Sequence, residues 1–269
     1  MGLELVAPRL CCGLGNRLFQ TVAAIGEAER LGRKPVFFLP RMSHEHGGFE
    51  LLMQLFPNIP ILQTAPTWEQ VDEDSLKLPL KLPQESLLVL SGFFQDTRFF
   101  PSSSHYLPRL PSQSRPIDSW AIHFRFGDYQ NLKHYHVDLS RYYLHVLKTK
   151  IPRGSLITLF SDSPDRLAPI SKEIESLGYK VQIFNKQDIL ETLKAFASCV
   201  KGAICSNSTF SWWAAYFAWA QAQAPEYKAY FPNRWIVNKP PVNLNHSFTQ
   251  SIDLDAISAE PALLSFSHS

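Results

Sequence analysis

The chain has 269 residues, enough for one large core or two modest ones, and its 26 basic and 24 acidic side chains leave a net charge of +2 with the signs interspersed. No broad basic field is available to hold nucleic acid by counterion release, so anion binding must fall to local arginine clusters. No stretch approaches about 18 uninterrupted apolar residues and no leader pattern opens the chain, which predicts a cytoplasmic protein without a membrane span.

In chain order, a first predicted strand runs into Cys11-Cys12-Gly13-Leu14-Gly15-Asn16-Arg17, and residues 17 to 32 then place Leu18, Phe19, Val22, Ala23, Gly26 and Leu31 at helical spacing. The glycine loop departs from the dinucleotide fingerprint, because Asn16 and Arg17 stand where the pattern would continue; a tight turn needing positive φ accounts for it equally well. Strands are predicted at 35 to 39, 59 to 62 and 87 to 90, giving a small α/β layer over the first hundred residues. Serine and proline breaks crowd residues 101 to 116, which places a domain boundary there, with domains 1–110 and 111–269.

The second half alternates regularly. Strands are expected at 119–124, 155–160, 179–184, 202–205 and 228–231, and helices near 138–150, 165–177, 188–199 and 209–222. That order predicts a parallel, doubly wound sheet, in which ligands bind beyond the carboxyl ends of the strands. Polar residues follow the apolar runs there: Arg125 and Asp128 after the first strand, Ser161 and Asp162 after the second, and Ser206, Asn207, Ser208 and Thr209 where strand 202–205 meets a helix. The backbone N–H groups of that helix start suit a phosphate, and Ser208 or Thr209 can cap its first turn.

Arg125 offers a planar donor fork suited to a pyrophosphate, Gly127 allows close backbone approach to a ligand, and Asp128 can orient Arg125 or a substrate hydroxyl; an Arg–Asp ion pair closing a loop is the competing reading. His123 sits within the strand and fits a core position about as readily as a site position. Asp72-Glu73-Asp74 has the D-x-D form of a cation site, but no apolar strand precedes it, so it reads as a solvated acidic loop. His44 with His46 and His134 with His136 lack a matching third ligand, so no metal is predicted. Cys11, Cys12, Cys199 and Cys205 fit neither a zinc pattern nor a disulfide framework and read as reduced thiols. Trp68, Phe93, Phe94, Tyr129 and Tyr135 can stack on a sugar, although most aromatics in such a chain must be core. The stretch after Trp235 has weak periodicity and is expected to pack back across the N-terminal half.

Taken together, these segments resemble the inverting α-1,2-fucosyltransferases. The family pattern G-G-L-G-N-Q-M-F-Q is similar to Cys12 to Gln20, G-[YF]-F-Q to Gly92-Phe93-Phe94-Gln95, H-x-R-R-G-D-Y to His123 through Tyr129, and F-S-D to Phe160-Ser161-Asp162. S-N-S-T-F-S-W-W-A-A is reproduced at residues 206 to 215, and the segments keep the family's order over most of the chain. Cys12, Arg17, Phe126 and Ser163 depart from the family residues at their positions.

The resemblance implies two Rossmann-like domains facing a central cleft (GT-B-like), an N-terminal acceptor-side half and a C-terminal half binding the nucleotide sugar. It implies GDP-fucose as donor, a glycan acceptor such as the 2-OH of galactose, and no cofactor or metal. Arg125 is then expected to neutralise the diphosphate, with Asp128 as general base and His123 in reserve. Asp162 and the Ser206 to Thr209 turn would hold nucleotide and phosphates. Gly15 and Asn16 would reach the donor from the other half, with Arg17 replacing the charge missing at Phe126. Another nucleotide-sugar donor on the same fold, or a catalytically silent glycan- or nucleotide-binding protein, are the alternatives. The lack of an anchor-like segment fits a bacterial or viral enzyme better than a Golgi one.

Overall fold

The computed structural model describes residues 4–41, 49–65, 67–77, 87–127, 137–237, 239 and 244–263. The chain divides into two compact units, Met1–Pro111 and Ser112–Ser269.

The first unit contains β1 (Leu5–Pro8), α1 (Leu14–Leu31), β2 (Lys34–Pro35), β3 (Phe37–Phe38), α2 (Phe49–Leu55), β4 (Ile61–Leu62), β5 (Glu69–Asp72) and β6 (Leu87–Ser91). Its main sheet is parallel, in the order β2-β1-β6-β5. Apolar β6 is buried on both faces by strict alternation: Leu88 and Leu90 pack with Val6, Ala23, Ala24, Ala28 and Phe94 on one side, Leu87 and Val89 with Ala7, Val36 and Phe38 on the other. The expected strand 35–39 is broken at Val36. Its N–H pairs with Val6, whereas the next N–H, of Phe37, pairs with Pro60, so the chain leaves one sheet for a two-stranded pairing with β4.

Helix α1 begins at Leu14, three residues before its expected start. Gly13 is its extended N-cap, and the positive φ of the preceding turn (65°) belongs to Cys12 rather than to a glycine. Gly15 therefore lies in the first helical turn, not in a phosphate-type loop. The serine-rich stretch near 101 is anchored to this unit, since Ser102 and Ser103 donate their N–H groups to the Glu29 carboxylate and Arg109 donates its own to the Leu55 carbonyl.

The second unit runs β7 (Ser119–Phe124), α3 (Ser140–Lys150), β8 (Leu156–Ser161), α4 (Leu167–Ser176), β9 (Lys180–Ile183), α5 (Ile189–Ser198), β10 (Gly202–Ile204), α6 (Thr209–Ala222), β11 (Lys228–Pro232) and β12 (Thr249–Ile252). All six strands are parallel, in the order β12-β11-β10-β7-β8-β9. The chain winds outward from β7 through β8 to β9, then returns to the other side of β7 with β10, so the winding reverses between β7 and β10. Ligands of open α/β sheets bind at such a reversal, beyond the strand ends.

Two features position that edge. Helix α6 is apolar nearly all round and is buried from Ser211 through Ala218. From helix α3, the Tyr142 hydroxyl donates to the carbonyls of Cys205 (2.9 Å) and Tyr230 (2.6 Å), and the Tyr143 hydroxyl to that of His123 (2.8 Å), which satisfies carbonyls where the strands end. The described residues after Trp235 bond within the second unit. There β12 pairs with β11, Arg141 Nη1 binds the carbonyls of Ser258 and Glu260, and Ile257 and Leu263 join the core around α3.

Candidate functional site

Three strand ends meet along the carboxyl edge of the second sheet. β7 lies between β10 and β8, with Ile122 opposite both Ile204 and Leu159. Residues Arg125 to Gly127, Ser161 with Asp162, and Cys205 to Thr209 are therefore neighbours along one rim.

Asp162 organises the β7 side. Its Oδ1 accepts from the Phe126 N–H (2.9 Å) and the Ser161 hydroxyl (3.3 Å), and its Oδ2 from the Gly127 N–H (2.9 Å), while Arg125 Nη1 pairs with Oδ2 at 3.0 Å. The loop-closing carboxylate is thus Asp162. Gly127 admits this carboxylate, because a Cβ there would stand 2.5 Å from Oδ2. The Arg125 side chain keeps 28% of its surface exposed.

Phe126 is buried against Phe124, with the rings parallel at 6.0 Å. The Arg166 guanidinium lies 4.0 Å from the Phe126 ring centroid, and its Nη2 is buried with no hydrogen-bond partner among the described residues. A second cation thus stands over the loop that carries Arg125. Sequence reasoning missed it, because Arg166 comes from the start of α4 and belongs to none of the recognised segments.

On the β10 side His123, Ser206 and Ser211 form a closed triangle. His123 Nδ1 is 3.1 Å from Ser206 Oγ and 2.6 Å from Ser211 Oγ, and the two hydroxyls are 2.8 Å apart. All three residues are buried, with Phe210 against the imidazole at 5.5 Å. Desolvation dominates at His123, outweighs the attraction of Asp162, acts with the repulsion of Arg125, and pushes its pKa down to about 4. The ring is neutral near pH 7 and works as a strut that fixes the turn.

Asn207 reaches the Trp235 carbonyl through Nδ2 (2.9 Å), and Ser208 is the N-cap of α6. Contrary to expectation, the Ser208 side chain makes no capping bond and Thr209 is already the first helical residue. Trp212 N–H bonds to the Ser208 carbonyl, so the N–H groups of Thr209, Phe210 and Ser211 precede the first intrahelical bond, the position at which helices bind anions.

In the first unit, two recognised segments are tied together. Asn16 Oδ1 accepts from Gln95 Nε2 (3.0 Å), and the buried Gln20 bonds to Cys11 through both amide atoms and to the Gly92 carbonyl (3.0 Å). Arg17 is buried in the first turn of α1. A polar residue inside the apolar stripe of α1 was the available signal for Gln20. Phe94 is core, whereas Phe93 is half-exposed and Trp68 stacks beneath Arg41 at 4.0 Å. Asp72, which ends the edge strand β5, and Asp74 are exposed as expected of a solvated acidic stretch, whereas Glu73 Oε2 accepts the N–H groups of Phe93 and Phe94. No group of three potential metal ligands occurs among the described residues, and no helix there is long and apolar enough to cross a membrane. Asp128, Tyr129, His134, Tyr135 and His136, like His44 and His46, lie outside the described residues.

No protein-family model matches the chain. It is similar to an α-1,2-colitosyltransferase of Escherichia coli, with 26% identity over 266 residues, covering 80% of this chain and 88% of the relative. Among solved structures it matches the NodZ α-1,6-fucosyltransferase co-crystallised with GDP, an enzyme of Bradyrhizobium, at TM-score 0.49 and 14% identity, over 80% of this chain and 92% of that one. It also matches a FUT1 variant of Arabidopsis thaliana in complex with GDP, at TM-score 0.48 and 12% identity, over 85% of this chain and 70% of that one.

Proposed function

We propose that the chain is an inverting glycosyltransferase that moves L-fucose from GDP-fucose to a sugar hydroxyl, the 2-OH of galactose, without a metal. One observation carries this reading: the Arg125 guanidinium and the open N-terminus of α6 stand at adjoining ends of β7 and β10, where the sheet reverses its winding. Transfer builds positive charge on the sugar ring and negative charge on departing GDP, so donors fixed in advance around the diphosphate lower the barrier. Arg125 is fixed by Asp162, and the α6 turn by His123 and Ser211. Arg166 Nη2 is a further donor for the leaving group.

Ser206, Asn207, Ser208 and Thr209 shape the phosphate turn in this reading, and Asp162 acts through Arg125. Asp128 is the general base, because a histidine that holds its proton only below about pH 4, with Nδ1 engaged by two hydroxyls, is a poor acceptor for the acceptor's proton. Asn16 and Arg17 are donor-binding residues by resemblance alone. The E. coli relative favours one alternative donor, a colitosyl nucleotide, within the same mechanism.

A thermal-shift panel of GDP, UDP, CDP, GDP-fucose and GDP-mannose tests the donor, since a ligand bound to the native state raises the melting temperature. GDP and GDP-fucose are expected to stabilise selectively; stabilisation by UDP alone would remove the assignment. Arg125→Ala should cost about 10²-fold or more in kcat/KM, the scale of one lost transition-state donor. Arg17→Ala should weaken donor binding more than replacement of the exposed Arg153, and equal effects would remove Arg17 from the site. Activity should survive EDTA; loss on chelation with recovery on adding Mn²⁺ would refute the metal-free mechanism.

A further inference from the structure

Cys199 and Cys205 are enclosed, and burial pushes the first thiol up to about 11 and the second well above its ordinary range. Neither is placed to react. Cys11 and Cys12 differ on every count: they are consecutive, both partly exposed, and sit in the turn between β1 and α1. In an extended chain consecutive side chains point to opposite faces. Here Cys12 has a left-handed backbone (φ 65°), one of three non-glycine residues at positive φ among the described residues, and the two sulfurs lie together at 3.5 Å with Cys12 Sγ donating to Cys11 Sγ. Gln20 holds Cys11 in place, donating from Nε2 to Sγ (3.2 Å) and accepting the Cys11 N–H at Oε1 (3.0 Å).

We propose that Cys11 and Cys12 form a modifiable vicinal dithiol that a hydroperoxide closes into a reversible disulfide. The thiolate of one cysteine, its proton released to water, attacks the peroxide bond, takes one oxygen as sulfenic acid, and releases an alcohol, or water when the oxidant is hydrogen peroxide. The neighbouring thiol attacks that sulfur; hydroxide leaves and combines with the thiol proton as water. Two thiols are oxidised and one peroxide reduced, with no further reactant. Consecutive Cα atoms are about 3.8 Å apart, shorter than the usual span of about 4.4–6.8 Å for a disulfide, so the closed ring is strained and easily reduced. Closure draws the sulfurs to about 2.05 Å and pulls Cys11 Sγ from Gln20, which also holds the Gly92 carbonyl.

The test is independent of the activity. The full chain is treated with mild hydrogen peroxide, alkylated, digested and analysed by mass spectrometry. The expected product is an unalkylated peptide containing Cys11 and Cys12, lighter by two hydrogens and restored to the doubly alkylated form by dithiothreitol. The reduced protein should also bind one equivalent of phenylarsine oxide, and lose it on oxidation or in Cys12→Ser. Oxidation that leaves both residues alkylated, or that carries Cys11 to sulfinic acid equally in wild type and Cys12→Ser, would overturn the proposal.

Discussion

Asp162 fixes Arg125 with oxygens that also accept two backbone N–H groups of the loop after β7 and the hydroxyl of neighbouring Ser161. Asp162→Ala should therefore lower unfolding free energy in urea by about 1–3 kcal/mol, the cost of leaving such donors without their acceptor. It should also weaken GDP binding through the freed arginine. His123 supplies a pH signature. Its folded pKa of about 4 lies below the ordinary 6.5, so the unfolded chain takes up a proton first as pH falls. The stability that this histidine contributes is complete above the ordinary pKa and drains away between about pH 6.5 and 4. Denaturation midpoints measured across that window should fall steeply for wild type and more gently for His123→Gln; parallel slopes would show that His123 does not control the acid limb.

At the scale of elements, α1 meets the turn at Phe99 through Gly26, where a Cβ would stand 2.0 Å from the Phe99 carbonyl oxygen. Gly26→Ala should destabilise by about 1–3 kcal/mol despite its gain in helix propensity, because backbone cannot yield as a side chain tip can. A rise in melting temperature would contradict that contact. The elements of the second unit were legible from sequence because its central strands are short apolar runs, α3, α4 and α5 carry a periodic apolar face and α6 is a long apolar run, and β7 and α6 fall at their expected limits. The edge strands β12 and β5 were not, whereas the edge strand β9 was. Thr249-Gln250-Ser251-Ile252 in β12 and Glu69-Gln70-Val71-Asp72 in β5 each bury a single residue, so neither shows alternation. The same logic separates the site residues. Arg125, Asp162 and Ser206 to Thr209 were readable as polar groups just past strand ends, whereas the Ser211–His123 bond joins positions 88 residues apart and Arg166 reaches its loop from another helix. Such partnerships are tertiary and leave no local pattern.

At the scale of the molecule, each unit owns a sheet and an apolar core, and the rim bearing Arg125, Asp162 and α6 belongs wholly to Ser112–Ser269. That segment expressed alone should melt cooperatively and keep a GDP-induced rise in melting temperature. A folded fragment indifferent to GDP would show that the second unit does not suffice for nucleotide binding.

The stretch leading into the edge strand β12 also sets an order of events during synthesis. α6 leans on residues far downstream: Trp212 Nε1 donates to the Leu244 carbonyl, and Trp219 packs on His246 and Phe248. Until residues 244 to 248 have left the ribosome, the Trp212 and Trp219 side of an almost wholly apolar helix has no cover, while the first unit is already free to fold. A truncated product ending near 243 should therefore be captured by chaperones and degraded faster than the full chain, which a pulse-chase comparison of the two would read.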